Sequence, residues 1–130
     1  MKFHMTENGF DTETEFGTLH ISSNEEKGFR PYQLMVASIG ACGGGVMRKI
    51  LEKMRMPADD ISIEVKEVVR SQDDASRLEK IHLHFTIIGS AIKEEKMPRI
   101  MDLTEKNCSM LQSVIGCIDV VKTYEIGKLK

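Results

Sequence analysis

The chain has 130 residues, which one core of ordinary domain size accommodates and which leaves little room for separate substrate and cofactor domains. Apolar residues at 41% and charged residues at 29% exclude a disordered or fibrous chain. Its 18 Lys and Arg against 20 Asp and Glu, a formal charge of −2 with the signs interspersed, exclude a nucleic-acid partner held by a concentrated basic face.

No apolar stretch approaches the roughly 20 residues of a membrane helix, and the opening MKFHMTENGF lacks the apolar block of a secretory signal. A cytoplasmic location without a membrane partner is therefore expected. Aromatic residues make up 5% with no Trp, a poor basis for stacking bases. Cys42, Cys108 and Cys117 are an odd number of thiols spread along the chain, which argues for redox or nucleophilic roles over a structural disulfide framework.

The first thirty residues are polar and punctuated by Gly9, Gly17 and Gly28, with short alternating pieces at KFHM and FGTLHI that predict two or three short strands. Pro31 is suited to the first position of a helix. From Tyr32 to about Met54 the chain is apolar or small around nearly the whole circumference, which predicts a buried helix closed by Pro57. Gly40, Gly43, Gly44 and Gly45 each cost about 0.5–1 kcal/mol against Ala there, so something must approach that helix closely.

ISIEVKEVV places Ile61, Ile63 and Val65 on one strand face, with a slip near Val68 and Val69. After the turn SQDDAS, LEKIHLHFTII directs Ile81, Leu83, Phe85 and Ile87 inward and His82, His84 and Thr86 outward. The two predict a long antiparallel ribbon. Met97, Ile100, Met101 and Thr104 recur at helical spacing, with Pro98 marking a kink or a start. CSMLQSVIG suits one or two helical turns and CIDVVKTYEI a last strand, with Val120 and Tyr124 on one face. The fold expected is α+β: a single domain over residues 1–130 with helices packed on an antiparallel sheet.

Cys42 lies within the glycine-rich helix, where a cysteine commonly behaves as a small hydrophobe. Cys108 precedes the short SMLQSVI helix, whose free N–H groups are expected to stabilise a thiolate on it. Together the two thiols suit a reaction in which one attacks and the other resolves the product into a disulfide. Cys117, after Gly116, reads as a bystander. His82 and His84 lack a third ligand and read as surface histidines. GACGGG has no Lys-Ser/Thr ending and is no phosphate loop. Neither a metal nor a cofactor is expected.

The run Arg30-Pro31-Tyr32-Gln33-Leu34-Met35-Val36-Ala37-Ser38-Ile39-Gly40-Ala41-Cys42, followed later by Asn107-Cys108-Ser109, resembles the OsmC/Ohr proteins, thiol-dependent reductases of organic hydroperoxides. The resemblance implies an OsmC-like intertwined homodimer with composite sites near the interface. It implies Cys42 as the peroxidatic thiol, Cys108 as the resolving thiol, a small hydrophobic hydroperoxide as substrate, and a dithiol reductant such as a lipoyl group. Three positions depart from the family pattern. Tyr32 stands where Glu usually follows the helix-starting Pro. No Arg precedes Arg30, whereas hydroperoxide-reducing members carry an N-terminal Arg that stabilises the thiolate. Ser109 replaces the Pro that commonly follows the second cysteine. Arg30 and Tyr32 are therefore candidate thiolate-stabilising or pocket residues. Two other readings stay open: a non-catalytic protein binding a small hydrophobic molecule, and an activity on reactive sulfur or acyl groups through Cys42.

Overall fold

The computed structural model describes residues 1–127, which group into two compact units divided between Ala37 and Ser38. In the first, β1 (Phe3–Met5), β2 (Phe10–Glu13) and β3 (Thr18–Ile21) form an antiparallel sheet in that order. The strands are short because polar turns interrupt them. Gly9 belongs to one such turn, and a Cβ there would lie 2.0 Å from the Ile21 carbonyl oxygen, a close approach only glycine permits. The four phenylalanines of this unit stay outside: Phe3 is 54%, Phe10 49%, Phe16 103% and Phe29 57% exposed.

The long helix α1 (Pro31–Lys53) begins at the predicted proline and crosses from the first unit into the second. Arg55 with φ of 60° follows it, and the Met56 N–H reaches back to the Leu51 carbonyl at 2.8 Å, a left-handed stop that precedes Pro57. By length and composition α1 is long and apolar enough to cross a membrane, contrary to the sequence expectation. Interspersed Gly, Ser and Cys break the uninterrupted apolar run without lowering its average. One face of it packs into the core, with Met47 and Leu51 fully buried. The all-round burial expected of it is nevertheless not met within one chain, since Ala41, Gly45, Arg48 and Lys49 are exposed.

Strand β4 (Asp60–Arg70) pairs antiparallel with β5 (Leu78–Ile88). The ladder is irregular twice: between Val65 and Glu67, where Lys66 is inserted, and between Val69 and Arg70, beside the slip read from the sequence. The bulge at Lys66 restores the apolar register: Val65 lies opposite Leu83 and Val68 opposite Ile81, on the inner face. Ile81, Leu83, Phe85 and Ile87 are all fully buried, which at about 1.5–3 kcal/mol each makes this strand a major source of core stabilisation.

A 3-10 turn at Glu94–Lys96 leads into α2 (Met97–Asn107), where Pro98 lies in the first turn and starts the helix without kinking it. Met97, Ile100, Met101 and Thr104 are buried as their spacing predicts. Then follow α3 (Ser109–Val114) and β6 (Asp119–Gly127). Strand β6 pairs parallel to β5, so the all-antiparallel sheet expected from the sequence is incorrect. The intervening helices carry the chain back to the starting end of β5, the crossover that a parallel neighbour requires. Lys122 sits opposite Leu83 on the inner side, and its ammonium donates to Glu105 of α2 at 2.6 Å.

Candidate functional site

Three glycines set how closely α1 lies on the sheet. A Cβ at Gly43 would meet the Phe85 ring at 3.6 Å and one at Gly40 the Leu83 side chain at 4.0 Å, while one at Gly44 would press on Ile63 Cδ1 at 2.7 Å. Cys42 therefore sits on a helix seated nearly in backbone contact with the core, beside its buried face, and is itself half-buried.

Cys108 occupies the extended residue between α2 and α3 (φ −86°, ψ 110°), where one helix ends and the other begins. It is fully buried. This junction brings the start of α3 to Cys42, although the two cysteines are remote in sequence. The Met110 backbone N–H donates to the Cys42 sulfur, as does the Cys108 thiol, and Ser109 adds its backbone N–H and its hydroxyl. The Ser109 Oγ lies 3.8 Å from Cys42 Sγ. These donors hold the Cys42 thiol below the ordinary thiol value, the Met110 N–H most of all and burial opposing them.

Cys108 behaves oppositely. Burial first, then its hydrogen bond and charge interaction with Cys42, raise its pKa, only partly offset by the N–H groups of Leu111 and Met110. The N–H groups of α3 thus act on Cys108 as expected but are outweighed by burial; the same helix start also serves Cys42, and Cys108 is the protonated donor beside it. One thiolate and one thiol in contact are the reactants of thiol–disulfide chemistry once an oxidant intervenes.

Val46 lies one helical turn beyond Cys42 on the same side of α1. It opens a groove of about 450 Å³ lined also by Ile50, Met54 and Leu103, with Lys49, Lys53 and Asn107 at its polar margins. The groove thus runs between α1 and α2, and its lining includes Asn107, the residue before Cys108.

Arg30 and Tyr32 belong to the Met1–Ala37 unit, where the Arg30 guanidinium lies 4.8 Å from the Tyr32 ring centroid and 3.7 Å from Glu25. Cys117 is exposed. His82 and His84 are half-buried on the outer sheet face and share Thr123 Oγ1 at 2.8 and 2.7 Å, while His84 Nε2 contacts Glu125 at 3.0 Å. No group of three or more His, Cys, Asp or Glu among the described residues is placed to hold a metal ion. Sequence reasoning noted Ser109 only as a departure from a motif. The Met110 N–H carries no side-chain signature, and only the helix start that supplies it was legible.

The OsmC-like protein family matches residues 24–122. Protein YhfA of Escherichia coli K12 is 29% identical over 103 residues, covering 78% of this chain and 75% of its own. Among solved structures, a hypothetical protein from Aquifex aeolicus VF5 has a TM-score of 0.85 at 24% identity, with 99% of this chain and 96% of that one covered. An organic hydroperoxide resistance protein OsmC from Legionella pneumophila has a TM-score of 0.75 at 20% identity over 95% of this chain and 93% of its own. At these identities the two structures establish the fold alone.

Proposed function

The chain belongs to the OsmC/Ohr family, and we propose that it reduces organic hydroperoxides through Cys42 as attacking thiolate and Cys108 as resolving thiol. The observation that carries this is the pairing of a half-buried cysteine of lowered pKa with a buried, protonated cysteine in hydrogen-bond contact. A redox role in peroxide handling is the general expectation for the family, and the two thiols supply its specific form here.

In the first step the Cys42 thiolate attacks the terminal peroxide oxygen and the O–O bond breaks. The alkoxide leaves and takes a proton from water as the alcohol, and Cys42 becomes a sulfenic acid. Cys108 then loses its proton, attacks the Cys42 sulfur and expels hydroxide, which departs as water, leaving a Cys42–Cys108 disulfide. An external dithiol such as a lipoyl group returns two electrons and two protons and is itself oxidised to the cyclic disulfide. The groove beyond Val46 accommodates a small hydrophobic substrate's hydrocarbon part with its peroxide toward Cys42.

On this reading residues 1–130 form one OsmC-like domain that functions as an intertwined homodimer. Support comes from the exposed phenylalanines of the Met1–Ala37 unit and the open side of α1, surface that a monomer rarely leaves wet.

The test is steady-state reduction of cumene hydroperoxide by dihydrolipoamide. The parent protein should turn over, Cys42→Ser should not, and peptide mapping without reductant should find the Cys42–Cys108 disulfide after a slight excess of peroxide. Cys108→Ser should accumulate a dimedone-reactive sulfenic acid on Cys42. A parent rate no higher than that of Cys42→Ser overturns the proposal and favours the binding of a hydrophobic molecule in the groove without chemistry.

A further inference from the structure

The polar side chains around the α2–α3 junction are nearly all committed to backbone. Asn107 Nδ2 donates to the Leu103 carbonyl at 2.8 Å, Gln112 Nε2 to Glu105 at 2.9 Å, Ser113 Oγ to Ser109 at 2.7 Å and Thr104 Oγ1 to Ile100 at 2.8 Å. Ser109 is the exception. Among the described residues its hydroxyl has a single hydrogen-bond partner, the Cys42 sulfur at 3.8 Å.

Neither helix capping nor packing explains that orientation. Ser109 is the first residue of α3, one position past the cap, and Cys108 at the cap makes no side-chain capping bond. Serine's usual structural service at a helix start is thus absent. The side chain is exposed while its neighbour Cys108 is buried, so Ser109 stands at the solvent side of the reacting sulfur.

We propose that Ser109 is a further catalytic residue, whose hydroxyl donates a hydrogen bond to the Cys42 sulfur and favours its thiolate form. The inference rests on Cys42 being the reacting thiol. Chemically the role is distinct from that of the other donors. The Cys108 thiol surrenders its proton when it resolves the sulfenic acid and ceases to be a donor, whereas the Ser109 hydroxyl is unchanged by turnover and is available whenever Cys42 returns as a thiolate. A hydroxyl donating to an anionic sulfur is a charge-assisted bond, and removing it disfavours the charged form.

The experiment measures the pH dependence of Cys42 alkylation by iodoacetamide in a Cys117→Ser background, which removes the exposed thiol and leaves Cys108 shielded by burial. Ser109→Ala should move the alkylation midpoint upward by about half a pH unit or more, and Ser109→Thr, which keeps a hydroxyl, should restore it. The kcat/KM for cumene hydroperoxide should fall several-fold for Ser109→Ala below the parent midpoint and converge on the parent value well above it. A structural effect predicts instead a loss equal at all pH values and a lowered melting temperature. Superimposable profiles for parent and Ser109→Ala, or equal shifts for Ala and Thr, overturn the assignment. A shifted alkylation profile in a protein without peroxidase turnover retains Ser109 as donor and rejects the peroxidase reading; turnover with an unshifted profile does the reverse.

Discussion

Substituting valine at Gly44 and, separately, at Gly45 isolates the space that the glycine run keeps between α1 and the sheet. The two neighbours share a helix, so replacing each with the same residue cancels the gain in helix propensity, roughly 0.3 kcal/mol for either. What differs is what the new atoms meet. A Cβ at Gly44 would lie 2.7 Å from Ile63 Cδ1 and 3.9 Å from Ile63 Cγ1, while one at Gly45 meets nothing within 4 Å. Alanine at Gly44 displaces only the flexible tip of Ile63, at about 0.5–1.5 kcal/mol for an off-rotamer side chain, and should come out near neutral. Valine adds two methyl groups held in essentially one rotamer on a helix. Overpacking of that kind costs about 1–3 kcal/mol, so Gly44→Val should be less stable than Gly45→Val by that amount. Urea unfolding at one fixed protein concentration measures the difference, with sedimentation equilibrium on the same samples to hold the assembly state constant. Equal stabilities with unchanged mass would refute close approach at Gly44 as the reason for that glycine.

Further outcomes follow from the thiols, the partly buried Lys122–Glu105 ion pair and the outer face of the sheet. With Cys117→Ser, alkylation of Cys42 should rise through a midpoint below that of an ordinary thiol, because the donors around it favour the anion; that of Cys108, read by slow labelling of the folded protein, should require higher pH, and unfolding should abolish the difference. Lys122→Met retains the buried stem but strands Glu105, whose carboxylate Lys122 contacts at 2.6 Å. It should cost about 1 kcal/mol in urea unfolding, and a double-mutant cycle with Glu105→Gln should assign most of that to the pair. Glu125 should titrate by NMR below the usual carboxylate range, chiefly through its hydrogen bond from His84, and His84→Ala should bring it back. The sign follows: this depressed group favours the folded state above the ordinary carboxylate pKa and loses that contribution as pH falls through its own.

The parts of the fold that were legible are those where chemistry repeats with a structural period. Ile81, Leu83, Phe85 and Ile87 alternate and are all buried, and Met97, Ile100, Met101 and Thr104 follow a helical stripe and are buried too. Alternation has no direction, which is why Val120 and Tyr124 marked the inner face of β6 without revealing that it runs parallel to β5. Lys122 lies between them on the same face and weakened even that signal; only its partner Glu105 on α2, a tertiary contact, accounts for it. In the candidate site the pair Cys42 and Cys108 was legible through motif resemblance, but not the sense of their polarisation. That depends on which sulfur receives the N–H of Met110 and which is enclosed by the core, and neither fact is written in spacing.

That polarisation also sets a tension in the reductive half of the proposed cycle. In thiol–disulfide exchange the better leaving group is the thiol of lower pKa, which is Cys42, so leaving-group chemistry alone directs a reductant to the Cys108 sulfur. Access points the other way, because Cys108 is fully buried and Cys42 only half-buried. An attack that burial forbids has no rate, so the reductant must join Cys42 and expel the poorer leaving group, Cys108, which then needs a proton as it departs. Reduction should therefore be the slower half-reaction, and bulky dithiols should be discriminated against more strongly than small ones. Rapid-quench mapping of the oxidised protein mixed with a monothiol should find the mixed disulfide on Cys42; a mixed disulfide on Cys108 would show that the α2–α3 junction opens on oxidation and that leaving-group chemistry prevails.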